Sequence, residues 1–263
     1  MHSSMSAPES GADIAVDLYP FLRKFKDGRV VRYAHSAFVP ASEAPTGATG
    51  VATRDVLIDP ITRVSARLFL SAAAADASSN RTLPLIVYFQ GGCFCTGSAF
   101  SKLFHRYAES LSSARAGALV VSVEYRLAPE HPIPAAYDDA WVALQWVLSL
   151  SDPWLADHVD RRPTRLFLAG ESAGANIAHN VATRAAGTPD SDDVNIEGLV
   201  LLQPFFWGSH RLPCEANWDG QGMFTPERVD TFWPFLTAGM AGNDDPRLNP
   251  PADQVAALPC RVP

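Results

Sequence analysis

The stretch LFLAGESAG, residues 166–174, decides the fold of this 263-residue chain. Its first part, Arg165–Gly170, is an apolar run of strand type. Beyond it Ile177, Ala178, Val181, Ala182 and Ala185 recur at helical spacing, and Gly187 suits the C-terminal cap. Between strand and helix lies Gly-x-Ser-x-Gly. A sharp strand-to-helix turn would lift Ser172 above a sheet, and Gly170 and Gly174 carry no Cβ to clash with neighbouring elements. The helix N-terminus then aims backbone N–H groups at developing negative charge. Ser172 is therefore the candidate nucleophile, and the Ala173 N–H a candidate oxyanion donor. The competing reading is a tight turn with Ser172 as a plain N-cap.

Upstream, LPLIVYF (83–89) and ALVVSVE (118–124) are continuous apolar runs, as in strands buried on both faces. IEGLVLL (196–202) follows the Ser172 helix as one more strand. Leu103, Phe104, Tyr107, Ala108 and Leu111 fall at helical spacing, and Pro134 opens a helix continued by Ala136, Ala140, Ala143, Val147 and Leu150. Strands thus alternate with helices, which predicts an α/β fold with a mostly parallel sheet covered on both faces. Arg29–Ala34 is the first strongly patterned segment. Val51–Ile58 and Val64–Leu70 read as strands parted by the Asp59-Pro60 turn.

FQGGCF (89–94) directly follows a buried strand. Acyl transfer needs two donors on the oxyanion, one from the residue after the nucleophile and one from an upstream glycine-rich loop. The N–H groups of Gly92 and Cys93 are candidates for the second. An ordinary glycine turn is the alternative, outweighed once Ser172 lies downstream.

Composition narrows the partners. The net charge of −7 and pI near 5.4 give no basic face for nucleic acid. The polar N-terminus (Met1–Asp17) has no apolar stretch of a signal peptide, and no run is long enough to span a membrane. The four cysteines, Cys93, Cys95, Cys214 and Cys260, match no CxxC or zinc spacing, so no metal is expected. Cys93 and Cys95 are spaced as on one strand face. The reading is a soluble cytoplasmic protein with reduced thiols. Asn80-Arg81-Thr82 matches a glycosylation sequon by chance.

Beyond these motifs, LYPFLRKFKDGRVVR (18–32), VYFQGGCFCTGSA (87–99), SVEYRLAPEHPIPAAYDDAWVALQWV (122–147), LFLAGESAGANIAHNVA (166–182) and DDPRLNPPA (244–252) carry a resemblance across nearly the whole chain. The sequence resembles plant carboxylesterases of the hormone-sensitive-lipase-like branch of the α/β-hydrolase superfamily, which includes the gibberellin receptors. The resemblance implies one α/β-hydrolase domain over residues 1–263, with a cap from the N-terminal segment and residues about 203–240. It implies hydrolysis of small-molecule carboxylic esters without a cofactor. Ser172 matches the family nucleophile, and Gly91, Gly92 and Cys93 match an oxyanion loop that reads His-Gly-Gly-Gly in the family. Gln90 replaces the histidine and can brace the loop through its amide. Cys93 replaces the last glycine, and its Cβ matters only if φ is positive there. Both departures imply a weakened hole rather than an abolished one.

A further departure concerns the triad. The family's acid and histidine lie after the next strand, beyond the point matched by Pro263, so the reading is of a C-terminally incomplete fold lacking the final strands and closing helix. The 196–202 strand would then be an apolar edge. No substitute base is evident. His179 is about 10 Å along the helix from Ser172 and reads as a surface or core residue. His210 follows the last strand, on the side of the site. Asp244 and Asp245 read as turn caps, and His105 as solvent-exposed. Glu124, Glu130, His131 and Asp138 read as scaffold for the following helix. Two other functions remain open at this stage: a non-catalytic binder of a small carboxylic acid, and a truncated product without function.

Overall fold

Apolar runs bounded by Gly, Pro and Asp turns become strands, and the stripes between them become helices. The computed structural model describes residues 13–45, 49–74, 82–113, 117–160, 165–187, 194–218, 220, 222 and 224–258. The Asn80 sequon and residues 259–263 lie outside the described residues. The chain divides into two units, Met1–His35 and Ser36–Pro263.

The first unit is a three-stranded antiparallel meander of β1 (Ile14–Leu18), β2 (Leu22–Phe25) and β3 (Val30–Arg32). Its second turn closes where Gly28, at φ 89°, bonds back to Phe25. Arg23 pairs with Asp17 and lies over the rings of Tyr19 and Tyr33. The Arg29–Ala34 pattern thus marks only the last of three strands.

The second unit carries β4 (Val51–Leu57), β5 (Ser65–Ser71), β6 (Leu85–Phe89), α1 (Lys102–Ser112), β7 (Leu119–Glu124), α2 (Ala135–Ser149), α3 (Pro153–His158), β8 (Leu166–Glu171), α4 (Ala173–Ala186) and β9 (Ile196–Leu202). Four short helices follow: α5 (Pro213–Ala216), α6 (Pro226–Val229), α7 (Phe232–Leu236) and α8 (Ala252–Ala256). The six-stranded sheet has the order β4-β5-β7-β6-β8-β9. β4, β5 and β7 pair antiparallel, whereas β7, β6, β8 and β9 are parallel. Helix α1 packs Phe104 and Ala108 on Phe69, Tyr88, Val120 and Ala169 of one sheet face. Helix α4 lies against β6, β8 and β9, with α2 against it. Right-handed crossovers put such helices on opposite faces.

This order positions the site. The chain leaves β6 toward β7 on one side and leaves β8 toward β9 on the other. The reversal falls between neighbours β6 and β8, where ligands bind at the carboxyl ends of open α/β sheets. Phe89 and Gly170 face each other in register at that end. The loop at residues 90–97 and Ser172 therefore emerge side by side. Among the described residues β9 is one edge strand of the sheet, opposite β4, and its Val200 and Leu202 are exposed.

Candidate active site

Ser172 sits between β8 and α4 at φ 53°, ψ −116°, a backbone region that side chains other than glycine rarely adopt. Its hydroxyl makes no capping hydrogen bond to the helix, so the plain N-cap reading fails. The main chain holds the turn from both sides. Ser172 N–H donates to Leu202 O at 2.9 Å, and Ser172 O accepts from Phe205 N at 3.0 Å. The glycines are steric necessities. A Cβ on Gly170 would lie 2.2 Å from Gly174 O, and one on Gly174 would lie 2.0 Å from Phe89 O.

The loop after β6 meets this turn at Gly91. A Cβ there would lie 2.9 Å from Glu171 O and 3.4 Å from Ser172 Cβ. Gly92 adopts φ 122°, and a Cβ would come within 2.2 Å of Thr96 O. Gly92 O gathers donors from Cys95 N at 3.0 Å, Thr96 N at 2.9 Å and Thr96 Oγ1 at 3.1 Å. Ala173, fully buried, opens α4, where the first N–H groups have no partner within the helix. The structure thus brings Gly91 against Ser172, with Gly92 and Cys93 next in the same loop and Ala173 next to Ser172 in the chain.

Two expectations about the loop change. Cys93 and Cys95 lie in a turn, not on a strand face, because β6 ends at Phe89. Cys93 has φ 51° and Phe94 φ 57°, so Cys93 carries its Cβ in the left-handed region, at a cost of about 1 kcal/mol. Its thiol is buried beside Cys95, and burial raises its pKa well above the ordinary range. Gln90 is fully buried, yet neither atom of its side-chain amide has a hydrogen-bond partner among the described residues. Bracing comes instead through its main chain, whose carbonyl accepts from Tyr125 Oη at 2.8 Å.

Aromatic packing seats the loop. Phe94 lies edge-on to Tyr137 at 5.8 Å, Trp233 at 5.9 Å and Phe205 at 6.3 Å. Trp233 is fully buried and donates its indole N–H to Asp245 Oδ2 at 3.1 Å. Asp245 Oδ1 also accepts from Arg247 N at 2.9 Å, as its turn role predicts.

Among the described residues, none of the candidate histidines is hydrogen-bonded to Ser172. His179 is buried, packs on Phe206 at 5.1 Å and, among the described residues, has neither ring nitrogen bonded, and burial lowers its pKa. His210 is exposed, with Nδ1 3.4 Å from Ser209 Oγ. His105 is half-buried rather than solvent-exposed. Its ring lies 5.1 Å from Phe69 and its Nδ1 3.1 Å from the guanidinium of Arg67. An amphipathic stripe gives the facing side of a helix but not what stands opposite, here a fully buried arginine. Among the described residues, no cluster of His, Cys, Asp or Glu could hold a metal ion, and no helix is long and apolar enough to cross a membrane.

Sequence reading missed the clamps around this centre. Asp139, 1% exposed, accepts from the backbone N and guanidinium of Arg126 at 2.7 to 3.0 Å. Glu124 Oε2 accepts from Ala99 N at 2.6 Å. The scaffold around Glu124 therefore reaches the loop after β6 as well as α2. Burial pushes the Glu124 carboxyl up to about 7, against the pull of Ala99 N–H, Ser98 and Arg67. A carboxyl with a folded-state pKa above its usual 4.5 keeps more protons in the native state, so its contribution to stability is lost as pH rises from 4.5 to about 7. Glu124→Gln keeps a neutral acceptor for Ala99 N–H. Melting at pH 5 and pH 8 should show the variant gaining on the parent with pH, by roughly 1–3 kcal/mol at pH 8. An equal difference at both pH values would contradict the assignment.

A sharply strained serine, two glycines that admit no side chain and a glycine loop against the serine point to one architecture. A family model for the alpha/beta hydrolase fold matches residues 86–262. The chain belongs to the α/β-hydrolase fold family. Among curated α/β-hydrolase relatives, 2-hydroxyisoflavanone dehydratase of Glycyrrhiza echinata is 40% identical, over 98% of this chain and 79% of that protein. The amyloplastic tuliposide A-converting enzyme b3 of Tulipa gesneriana is 41% identical, over 95% of this chain and 63% of that protein. Esterase LipW from Mycobacterium marinum superposes with TM-score 0.61 at 32% identity, covering 77% of this chain and 59% of that one. A bacterial heroin esterase shares the fold at TM-score 0.63 and 23% identity, covering 79% and 63%. The chain thus spans about three-fifths of these solved α/β-hydrolase structures and of the tulip enzyme.

Proposed function

We propose that the protein is a serine carboxylesterase-type hydrolase of small-molecule carboxylic esters. Ser172 Oγ attacks the ester carbonyl, and the N–H groups of Gly92, Cys93 and Ala173 receive the oxyanion beside Gly91. The alcohol then leaves, and water releases the acid from the acyl-serine. No cofactor enters these steps. The carrying observation is the uncapped Ser172 hydroxyl at φ 53° with Gly91 against its Cβ. The name of the LipW relative, an esterase, agrees with it. A cytoplasmic setting and a cap from residues about 203–240 belong to the same reading.

Among the described residues, no histidine or carboxylate is hydrogen-bonded to Ser172. A triad enzyme deprived of its base loses roughly 10⁴–10⁶ in rate and keeps what the oxyanion hole and binding supply. The 263-residue chain should therefore turn over p-nitrophenyl acetate only slowly, and an aryl phosphonate should label Ser172 slowly. Ser172→Ala should abolish the labelling, as read by intact-mass spectrometry. Fast turnover lost in Ser172→Ala would overturn the impairment, and labelling that survives the substitution would overturn the nucleophile. The Ser172 hydroxyl, unbonded among the described residues, also favours a second reading, a pocket that binds a small carboxylic acid without hydrolysis. Calorimetry with gibberellin-like acids decides it, since a flat titration removes this reading.

A further inference from the structure

We propose that Tyr125 is a positioning residue for the oxyanion loop, its buried hydroxyl fixing the Gln90–Gly91 peptide from which the donor groups follow. The inference rests on the reading of residues 91–93 as oxyanion loop.

A peptide unit is planar, so a bond on its carbonyl sets the direction of the N–H on its other side. Tyr125 Oη donates to Gln90 O at 2.8 Å, and this peptide's N–H belongs to Gly91. Two peptides on, Gly92 O is held by Cys95 N, Thr96 N and Thr96 Oγ1, which sets the Cys93 N–H. The Gly91–Gly92 peptide, which carries the Gly92 N–H, is confined between these two anchors. The second anchor lies within the loop itself. The first comes from outside it, and Tyr125 and Gln90 are 2% and 0% exposed, so no water competes for the bond.

The stretch that carries Tyr125 is built to hold this loop. Glu124 takes Ala99 N–H at 2.6 Å, and Ala128 N donates to Phe94 O at 2.9 Å. Arg126 locks the stretch to α2 through Asp139. The loop is thus gripped near its start, middle and end from one segment. Gln90, whose side chain stands where the loop begins, leaves its amide unbonded among the described residues, so Tyr125 does the bracing. Burial raises the Tyr125 phenol well above its ordinary range, which keeps it a donor at every working pH.

The test is Tyr125→Phe in the full chain, which removes one oxygen and keeps the ring. Ser112→Ala is the matched control. It deletes another buried hydroxyl bonded to a backbone carbonyl, Phe69 O at 3.0 Å, on α1. In ¹⁵N spectra, Tyr125→Phe should shift the Gly91, Gly92 and Cys93 amides and speed their hydrogen exchange about fivefold. With the aryl phosphonate, the rate constant of Ser172 labelling should fall about tenfold. The concentration for half-saturation should stay unchanged. Ser112→Ala should leave these amides and the rate constant as in the parent. Unmoved amides, an unchanged rate constant, or equal effects in Ser112→Ala would each overturn the proposal. If the parent itself is never labelled at Ser172, the hydrolase reading fails, and the amide readout alone then decides whether Tyr125 positions the loop.

Discussion

Gly174→Ala is expected to unfold the protein or destabilise it by about 3 kcal/mol or more. The added methyl would stand 2.0 Å from Phe89 O and 2.6 Å from Gln90 O. Both atoms are backbone, one ending β6 and the other opening the loop after it, so no rotamer change relieves the overlap. Relief requires α4 to move away from the sheet, which separates Ser172 from Gly91. Gly187→Ala serves as the comparison. That position has φ −88°, and its Cβ would meet nothing closer than 3.7 Å. There the substitution should be neutral or stabilise by about 0.4–1 kcal/mol by restricting the unfolded chain. Urea denaturation of both variants reads the contrast, and equal losses would show that the close approach of α4 to β6 is not what constrains residue 174.

Asn176→Leu is the second large effect, a loss of roughly 3–5 kcal/mol. Asn176 is fully buried one turn beyond Ser172. Its Oδ1 accepts from Tyr137 Oη at 2.7 Å, and its Nδ2 donates to Phe205 O at 2.9 Å and Arg247 O at 2.8 Å. Leucine fills similar space but leaves the tyrosine hydroxyl and the Phe205 carbonyl unpaired in a dry interior. The Arg247 carbonyl keeps Asn180 Nδ2 at 3.1 Å. Because Phe205 N also holds Ser172 O, the variant should lose phosphonate reactivity along with stability. Tyr137→Phe in the same background should cost little more, since its hydroxyl has already lost that partner. A loss under about 1 kcal/mol for Asn176→Leu would show that water replaces these bonds.

Much of this was legible in one dimension because it depends on local rules. Strand, turn and helix around Ser172 are neighbours in sequence, so periodicity and two glycines suffice to place them. The loop at Gly91–Cys93 was legible by analogy of chemistry, since a serine nucleophile calls for a glycine-rich partner after another buried strand. The parallel sheet followed from alternation. Its order did not, because which strand lies beside β6 depends on pairings between residues far apart in the chain.

The clamps were illegible for the same reason. Asp139 looks like any acid near the start of a helix until Arg126 is found against it. Gln90 looks like a polar brace until its amide proves unpartnered among the described residues and Tyr125 takes its carbonyl. Cys93 carries a question that only a dihedral angle answers, and φ 51° shows that its Cβ does matter. His105 reads as surface on a helical wheel, yet a buried arginine from β5 waits opposite it.

By itself, then, the sequence determined the strands and helices around Ser172, the candidate nucleophile and the α/β class, all properties of segments a few residues to a few turns long. The tertiary structure decided that β6 and β8 are neighbours, that Gly91 lies against Ser172, and that Tyr125, Asn176 and Asp139 hold them there. Periodicity reports which face of a segment is apolar, whereas hydrogen bonds across distant segments exist only once the chain has closed on itself.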